Sequence, residues 1–137
     1  MALPFFIDDS EYLWKIKILV PVDGEIQEQE QEIYLKRVGN ARKKELLALI
    51  IEKARKIEET GEIPADSLSD EALADEILAG WRGMKNRDGS EVEFSPEMKA
   101  RFLDREGVAL AVVMGWCDSM EILKVGNSSE PPSSSGS

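Results

Sequence analysis

The feature that most constrains this chain is an alternating run that ends at a turn signal. Between Leu13 and Val20, Trp14, Ile16 and Ile18 alternate with Lys15, Lys17 and Leu19, the pattern of a strand with one buried face. Pro21 is expected to end this strand, and Asp23-Gly24 suits the positive φ values of a tight hairpin turn. A returning strand is predicted from Glu30 to Arg37. The chain is therefore expected to open with a β-hairpin.

The Glu/Gln run from Glu25 to Glu32 is polar on both prospective faces. One interpretation is a solvated, loosely paired hairpin tip. The other is a flexible acidic contact for a partner. The pattern itself leaves both open.

Two helices are predicted after the hairpin. The first spans about Ala41 to Glu59, with an apolar stripe at three- and four-residue steps and Asn40 as its N-cap. The second begins after Ser69 in an acidic stretch, and Gly80 is a natural C-terminal stop. Trp81 then follows a helix end rather than lying in a regular element.

Two further helices complete the expected fold. Ser95-Pro96-Glu97 carries a cap, a first-turn proline and an acid, and that helix ends near Asp104. The last helix, about Gly107 to Leu123, is apolar nearly all the way round, so it is central to the core or covered by a partner. The fold class predicted is α+β, mainly α: an N-terminal β-hairpin followed by a compact bundle of about four helices.

The domain organisation follows from composition. Residues 1–125 are expected to form a single domain, since 137 residues suit one ordinary core. Residues 126–137 are rich in Ser, Pro and Gly and cannot bury apolar surface, so they are predicted to be a disordered tail.

The net charge of -10 restricts the partners. An acidic chain repels nucleic-acid backbones and anionic membranes, so neither is expected as a partner. The first residues lack a basic n-region, and the longest uncharged stretch is too short for a membrane span. A cytoplasmic location is therefore expected.

The residue types that carry most enzyme chemistry are scarce. Histidine is absent and Cys117 is the one cysteine, which removes Ser/His and Cys/His pairs and a thiolate zinc cage. Asn86, Asp88 and Gly89 resemble a calcium loop, but the aligned first and last ligand positions are Met84 and Ser95. No catalytic residue, cofactor or metal site is predicted, and the chain is expected not to be an enzyme.

Charge is segregated along the chain. Basic residues gather at the start of the first helix, and acidic residues fill the segment before and within the second. These clusters either pair within one molecule or support head-to-tail self-association into rings or spirals. The candidate self-association residues are Arg42, Lys43, Lys44, Asp70, Glu71 and Asp75.

One segment carries a resemblance to a known family. Ile77-Leu78-Ala79-Gly80-Trp81-Arg82-Gly83, an Asp88-Gly89 turn and Phe94-Ser95-Pro96-Glu97 follow one another, with Gly80, Gly83, Asp88, Gly89, Phe94 and Ser95 as motif residues. This order resembles the small tail assembly chaperones of long-tailed bacteriophages and prophages. The aromatic-led first strand, the Pro-x-Asp-Gly turn and the Gly107-Val108 helix start agree with it, so the likeness covers about Tyr12 to Leu123.

The resemblance implies a function in the cytoplasm of a host bacterium. Such a chaperone binds and solubilises the tape measure protein, helps recruit tail tube subunits, and is absent from the mature virion. Candidate contacts for that partner are Trp81, Arg82, Lys85, Val112, Val113 and Trp116. The tryptophans have an alternative interpretation as core residues. The alternative function is a generic acidic interaction module, either a DNA mimic or a small regulatory inhibitor.

Overall fold

The computed structural model describes the backbone of residues 2–128 and the side chains of residues 2–120. Most of the predicted tail, 129–137, lies outside the described residues. The elements, in chain order, are β1 Glu11–Val22, β2 Glu25–Lys36, α1 Asn40–Thr60, α2 Asp70–Ile77, β3 Leu78–Arg82, α3 Pro96–Leu103 and α4 Val108–Ser128.

The predicted hairpin is present and longer than expected. β1 and β2 pair from Glu11 opposite Lys36 to Val22 opposite Glu25. Asp23 and Gly24 both have positive φ, 51° and 83°, which matches the right-handed twist of the strands. The Glu/Gln run is therefore paired strand up to the turn. Pro21 does not end β1, because β1 is an edge strand, where a missing N–H is tolerated.

A third strand corrects the predicted fold class. The second helix ends at Ile77 rather than Gly80, and Leu78–Arg82 pairs antiparallel with β2 from Glu32 to Leu35. Gly80 lies beside Tyr34 of β2, and a Cβ there would be in ordinary van der Waals contact with the Tyr34 ring, 3.6 Å from Cδ2. The fold is a mixed α+β unit, an N-terminal three-stranded antiparallel sheet in the order β1-β2-β3 with four helices. The expected hairpin followed by a mainly helical bundle was wrong, since residues assigned to a helix end complete the sheet.

The core lies between the sheet and α4. The inward face of β1 and β2 contributes Ile16, Ile33 and Leu35, and α4 contributes Val112 and Trp116, all essentially fully buried. α4 also packs on α2 and α3. A glycine sets the helix-to-sheet spacing, because a Cβ at Gly115 would lie 2.6 Å from Ile16 Cγ2.

Two of the three predicted helix caps are confirmed. Ser69 Oγ accepts from Ala72 N at 3.0 Å, and Ser95 Oγ accepts from Met98 N at 3.1 Å, each satisfying a first-turn amide. The Asn40 cap was wrong. Gly39 is the N-cap of α1, without a side-chain hydrogen bond, and Asn40 is already helical.

α1 is attached to this unit more loosely than any sequence pattern indicated. Within its 21 residues, Leu46 is the single fully buried side chain. Leu47, Ile50 and Ile57 are half-buried, whereas Ile51 is 67% exposed. The helix therefore retains apolar surface that the described residues do not cover.

A search of the described helices finds none with an apolar stretch long enough to cross a membrane.

Candidate partner-binding surfaces

Trp81 is an internal anchor rather than an exposed contact. Its side chain is only 8% exposed. Its Nε1–H donates to the carbonyl of Val92 at 2.8 Å. Its ring meets Phe94 and Phe102 edge to face, with centroids 4.8 Å and 5.3 Å away. Of the two interpretations of Trp81, the one as a core residue is therefore correct. The indole has little surface left for a partner.

The motif that carries the family resemblance forms a closed loop after β3. Met84 and Val92 are joined by a backbone hydrogen bond of 2.9 Å, and Gly83 and Gly89 take positive φ values of 74° and 92°. Asp88 accepts from the hydroxyl and the amide of Ser90 at 2.7 Å and 2.9 Å. These bonds hold the pKa of the Asp88 carboxyl below its ordinary value. These hydrogen bonds fix the conformation of the loop, and the loop packs against the Trp81 ring.

The two basic residues beside Trp81 differ in their engagement. Arg82 donates to both carboxylate oxygens of Glu32, at 2.9 Å and 3.2 Å, across the β2–β3 pair. This hydrogen bonding lowers the pKa of Glu32. Lys85 is exposed and lines a cleft described below. Of the two, Lys85 is the more accessible to an acidic ligand.

The candidate contacts on α4 are covered by the chain itself. Val112, Val113 and Trp116 are buried in the core. They are unavailable to a partner while the domain is folded, because the nearly uniform apolarity of α4 serves the core. Among the side chains of this helix that the structure describes, up to residue 120, the exposed large apolar ones are Leu110 and Met114, each about half exposed.

The segregated charges meet within one molecule. Arg42 donates to both carboxylate oxygens of Glu76 at 2.7 Å and to Glu45 at 3.1 Å, which ties the start of α1 to α2. The hydrogen bonds from Arg42 lower the pKa of Glu76 and raise that of Arg42. Intramolecular pairing therefore occupies the best-placed basic residue of the candidate self-association set.

Two of the other five candidate self-association residues are in ion pairs with described residues and three are not. Asp70 lies 3.5 Å from Lys53, and Asp75 lies 3.3 Å from Lys99. Lys44 and Glu71 are exposed, and Lys43 is half-buried. In both pairs the carboxylate is the more exposed partner and the lysine is mostly covered, so the two pairs leave few free charges of this set.

The outer face of the hairpin is a ladder of opposite charges. Lys15 and Glu30 lie 3.7 Å apart, Lys17 and Glu28 lie 3.9 Å apart, and Arg82 reaches Glu32. The acidic run predicted as a possible contact is therefore partly neutralised by its neighbours. A surface of this kind does not present a bare row of carboxylates.

An apolar strip runs along one flank of α1. Leu47, Ile51 and Ala54 recur at steps of four and three residues and so lie along one side of the helix, where Ile51 and Ala54 are exposed and Leu47 is half-buried at the edge of the core. We call these three residues the α1 strip. A second helix can pack on such a spacing, since it reproduces one face of a helix pair.

A cleft of about 310 Å³ opens beside the hairpin and is called the hairpin cleft. Its apolar floor is formed by Ile18, Val20, Met84, Val92, Phe102 and Val108. Its rim carries Lys85, Arg101 and Arg105. None of the three forms an ion pair with a residue that the structure describes. No sequence pattern had grouped these residues, although Arg101 and Arg105 are one helical turn apart in sequence.

The described side chains contain no group of three or more His, Cys, Asp or Glu residues placed to hold a metal ion. The expectations of no cofactor and no catalytic residue remain predictions.

A family model described as YdaY prophage protein matches residues 51–116, a little under half of the chain. The match indicates a phage or prophage protein. It begins at Ile51 in α1, includes α2, β3, the Trp81 loop and α3, and ends at Trp116 in α4. The motif from Ile77 to Glu97, on which the resemblance to tail assembly chaperones mainly rests, lies within these residues. Neither the curated proteins nor the solved structures contain a match to the chain.

Proposed function

We propose that this prophage protein is a tail assembly chaperone, which binds and solubilises the tape measure protein and helps recruit tail tube subunits. Two sequence observations support the proposal. The ordered motif from Ile77 to Glu97 resembles that family, and the match to a prophage family agrees with the implied origin. The residues of the motif stabilise the fold, so we expect the client to bind another part of the surface.

The observation that carries the proposal is the α1 strip. A long helical client exposes apolar stripes that aggregate unless another apolar surface covers them. Leu47, Ile51 and Ala54 offer a helix-spaced stripe on a helix that buries little of itself. Packing a client helix there removes apolar area of both partners from water.

The charge of the chain complements this role. Lys44 and Arg55 flank the α1 strip, with Arg55 paired to Glu52 and Glu59 of the same helix, and the molecule as a whole carries -10. The strip can therefore accept a client helix while the remaining surface keeps the complex soluble by mutual repulsion. The expected host-cytoplasm location belongs to the same proposal.

The alternative, a DNA mimic or acidic inhibitor, is less well supported. A mimic needs carboxylates that stand free in rows, in place of phosphates. On the hairpin, Glu28, Glu30 and Glu32 are each paired with a lysine or arginine. That arrangement lowers the density of free negative charge where the sequence is richest in acid.

The test is co-expression with the tape measure protein of the same genome. Wild-type chain is expected to keep the client soluble and to co-purify with it. Ile51→Asp places a charge in the middle of the α1 strip and is expected to abolish co-purification. Ile63→Asp is the matched control, because Ile63 is 68% exposed against 67% for Ile51 but lies outside α1.

Three outcomes separate the alternatives. Loss of client with Ile51→Asp and retention with Ile63→Asp supports the proposed surface. A client that precipitates with wild-type chain contradicts the chaperone function. Displacement of duplex DNA from a basic protein by this chain would favour the mimic instead.

A further inference from the structure

An apolar arm precedes the sheet and is buried by nothing in the described chain. Leu3, Phe5, Phe6 and Ile7 form this arm, and Phe5 is 85% exposed. Two acids, Asp8 and Asp9, follow it directly. Contact of four large apolar side chains with water is unfavourable. The arm therefore has the chemistry of a segment that binds an apolar cleft with a basic rim.

The hairpin cleft has that complementary chemistry and also an open strand edge. β3 pairs with β2 only from Glu32 to Leu35. Along Ile26 to Gln31, β2 has β1 on one side and no described strand on the other. Gln29, Glu30 and Gln31 of this free edge line the cleft. Unpaired edge amides and carbonyls are a template for an added strand.

We propose that the apolar arm of one copy of this chain adds as a strand to the free β2 edge of a second copy and fills the hairpin cleft. This inference holds whether or not the chain binds a tape measure protein, because it concerns a different surface from the α1 strip. Each copy would give one arm and receive one, which is a head-to-tail contact.

The proline of the arm determines the register. Pro4 has no N–H and must face away from the β2 edge, so the backbone groups of Leu3, Phe5 and Ile7 pair with β2. In a strand these three side chains share one face. The opposite face carries Pro4, Phe6 and Asp8, and an acid is disfavoured against an apolar floor. Leu3, Phe5 and Ile7 therefore enter the cleft.

Charge supports the same docking. Asp8 and Asp9 come at the end of the arm, where Arg101 and Arg105 offer cations that lack an ion-pair partner among the described residues. Asp9 already contacts Arg37 of its own chain at 3.1 Å, but both side chains are about half exposed, so that pair is weak. On docking, Asp9 exchanges its solvated ion pair with Arg37 for contacts with Arg101 and Arg105, which lie beside the apolar floor of the cleft.

Geometry places the cleft of the same chain out of reach. The base of the arm is held at the open end of the hairpin, where Arg37 N donates to Ser10 O at 2.9 Å. From Ser10 to Phe5 an extended chain reaches about 17 Å. The cleft residues of β2 lie about 17–23 Å along the strand from Lys36, and the arm must also cross the sheet, whose strands are about 4.8 Å apart. The acceptor is therefore another copy.

The first experiment measures self-association of the full chain by sedimentation over a concentration series. Wild-type chain is expected to form species larger than the monomer. Phe5→Ser should weaken association at least about tenfold, the ratio for losing one large buried apolar side chain. Phe6→Ser is the matched control, because it removes the same side chain from the opposite face and should change association little. Both side chains are exposed, so neither change should unfold the monomer.

The second experiment tests the head-to-tail geometry by mixing. Phe5→Ser disables the arm, and Arg101→Glu with Arg105→Glu disables the cleft. Each variant alone should be largely monomeric. Their mixture should form a dimer and stop there, because the intact arm of the cleft variant enters the intact cleft of the arm variant.

Several results would overturn the proposal. A wild-type chain that is monomeric at all concentrations refutes it, and so does a mixture that forms no dimer. Equal effects of Phe5→Ser and Phe6→Ser would contradict the strand register. Loss of self-association in Phe5→Ser with unchanged client binding separates this surface from the proposed chaperone surface.

Discussion

α1 and α4 have the same length, 21 residues, but contribute very differently to the fold. In its described part α4 buries Val108, Ala109, Val112, Val113 and Trp116 against the sheet and the other helices. α1 fully buries Leu46 alone and is tied to α2 by the Arg42–Glu76 pair. Helix length therefore says little about contribution to stability. What decides it is the width of the apolar face that meets the sheet.

The largest expected effect lies in α4. Trp116→Ala should lower the free energy of unfolding by about 3–5 kcal/mol, because it leaves a large cavity at the centre of the core. Ile51→Ala in α1 should change it by less than about 0.5 kcal/mol, since the side chain is mostly exposed. Denaturant unfolding of both variants measures the contrast. Similar losses would mean that α1 is as integral to the fold as α4.

The next effect concerns the spacing between α4 and the sheet. Gly115→Ala should destabilise the protein by about 1–3 kcal/mol, because the new Cβ would overlap Ile16 and push the helix away. Gly39→Ala, at the N-cap of α1, is the control for a Cβ added in open space, with no atom within 4 Å of that Cβ and a φ of -62°, and should cost less than about 1 kcal/mol because Ala is a poorer N-cap than Gly. Thermal unfolding compares the two. A neutral Gly115→Ala would show that α4 does not need this close approach.

A smaller effect is expected at the Trp81 loop. Trp81→Phe keeps an aromatic ring against Phe94 and Phe102 but removes the donor to Val92 O. Leaving that carbonyl without its partner should cost about 1–2 kcal/mol. Denaturant unfolding measures the loss, and hydrogen exchange of the amides from Met84 to Val92 shows whether it is local. Unchanged exchange there would indicate that ring packing alone holds the loop.

The smallest expected effect is a difference between α1 and α4 in how their stability responds to pH. The pKa of Glu76 is lowered from its ordinary 4.5 by Arg42, so its stabilising contribution is complete above that value and is lost as pH falls through the lower folded pKa. Hydrogen exchange in α1 should therefore accelerate at acid pH more than exchange in α4. Glu76→Gln should remove most of this difference.

Glu52→Gln is the control for that measurement. The pKa of Glu52 is also lowered, but by Arg55 within the same helix, so its loss does not detach α1 from α2. An equal response of the two variants would mean that acid weakens α1 itself rather than its docking.

Much of the local structure was predictable because its signals are local. The Asp23-Gly24 turn and the caps at Ser69 and Ser95 each depend on one or two residues and appear as expected. The third strand was missed because Gly80 is a good helix stop in isolation, and only the exposed edge of β2 makes Leu78–Arg82 a strand. Of the candidate site residues, Lys85 stayed accessible, whereas Trp81 and Trp116 are buried.

By itself the sequence determined the hairpin, the caps of α2 and α3, the acidic charge and the motif that resembles tail assembly chaperones. Tertiary structure alone decided which apolar residues remain on the surface. Val112 and Ile51 both lie in apolar helical patterns, yet one is buried by the sheet and the other faces water. The physical reason is that periodicity shows which residues share a face, whereas burial depends on which face another element reaches. The same holds for the hairpin cleft, whose residues come from β1, β2, α3, α4 and the loop after β3.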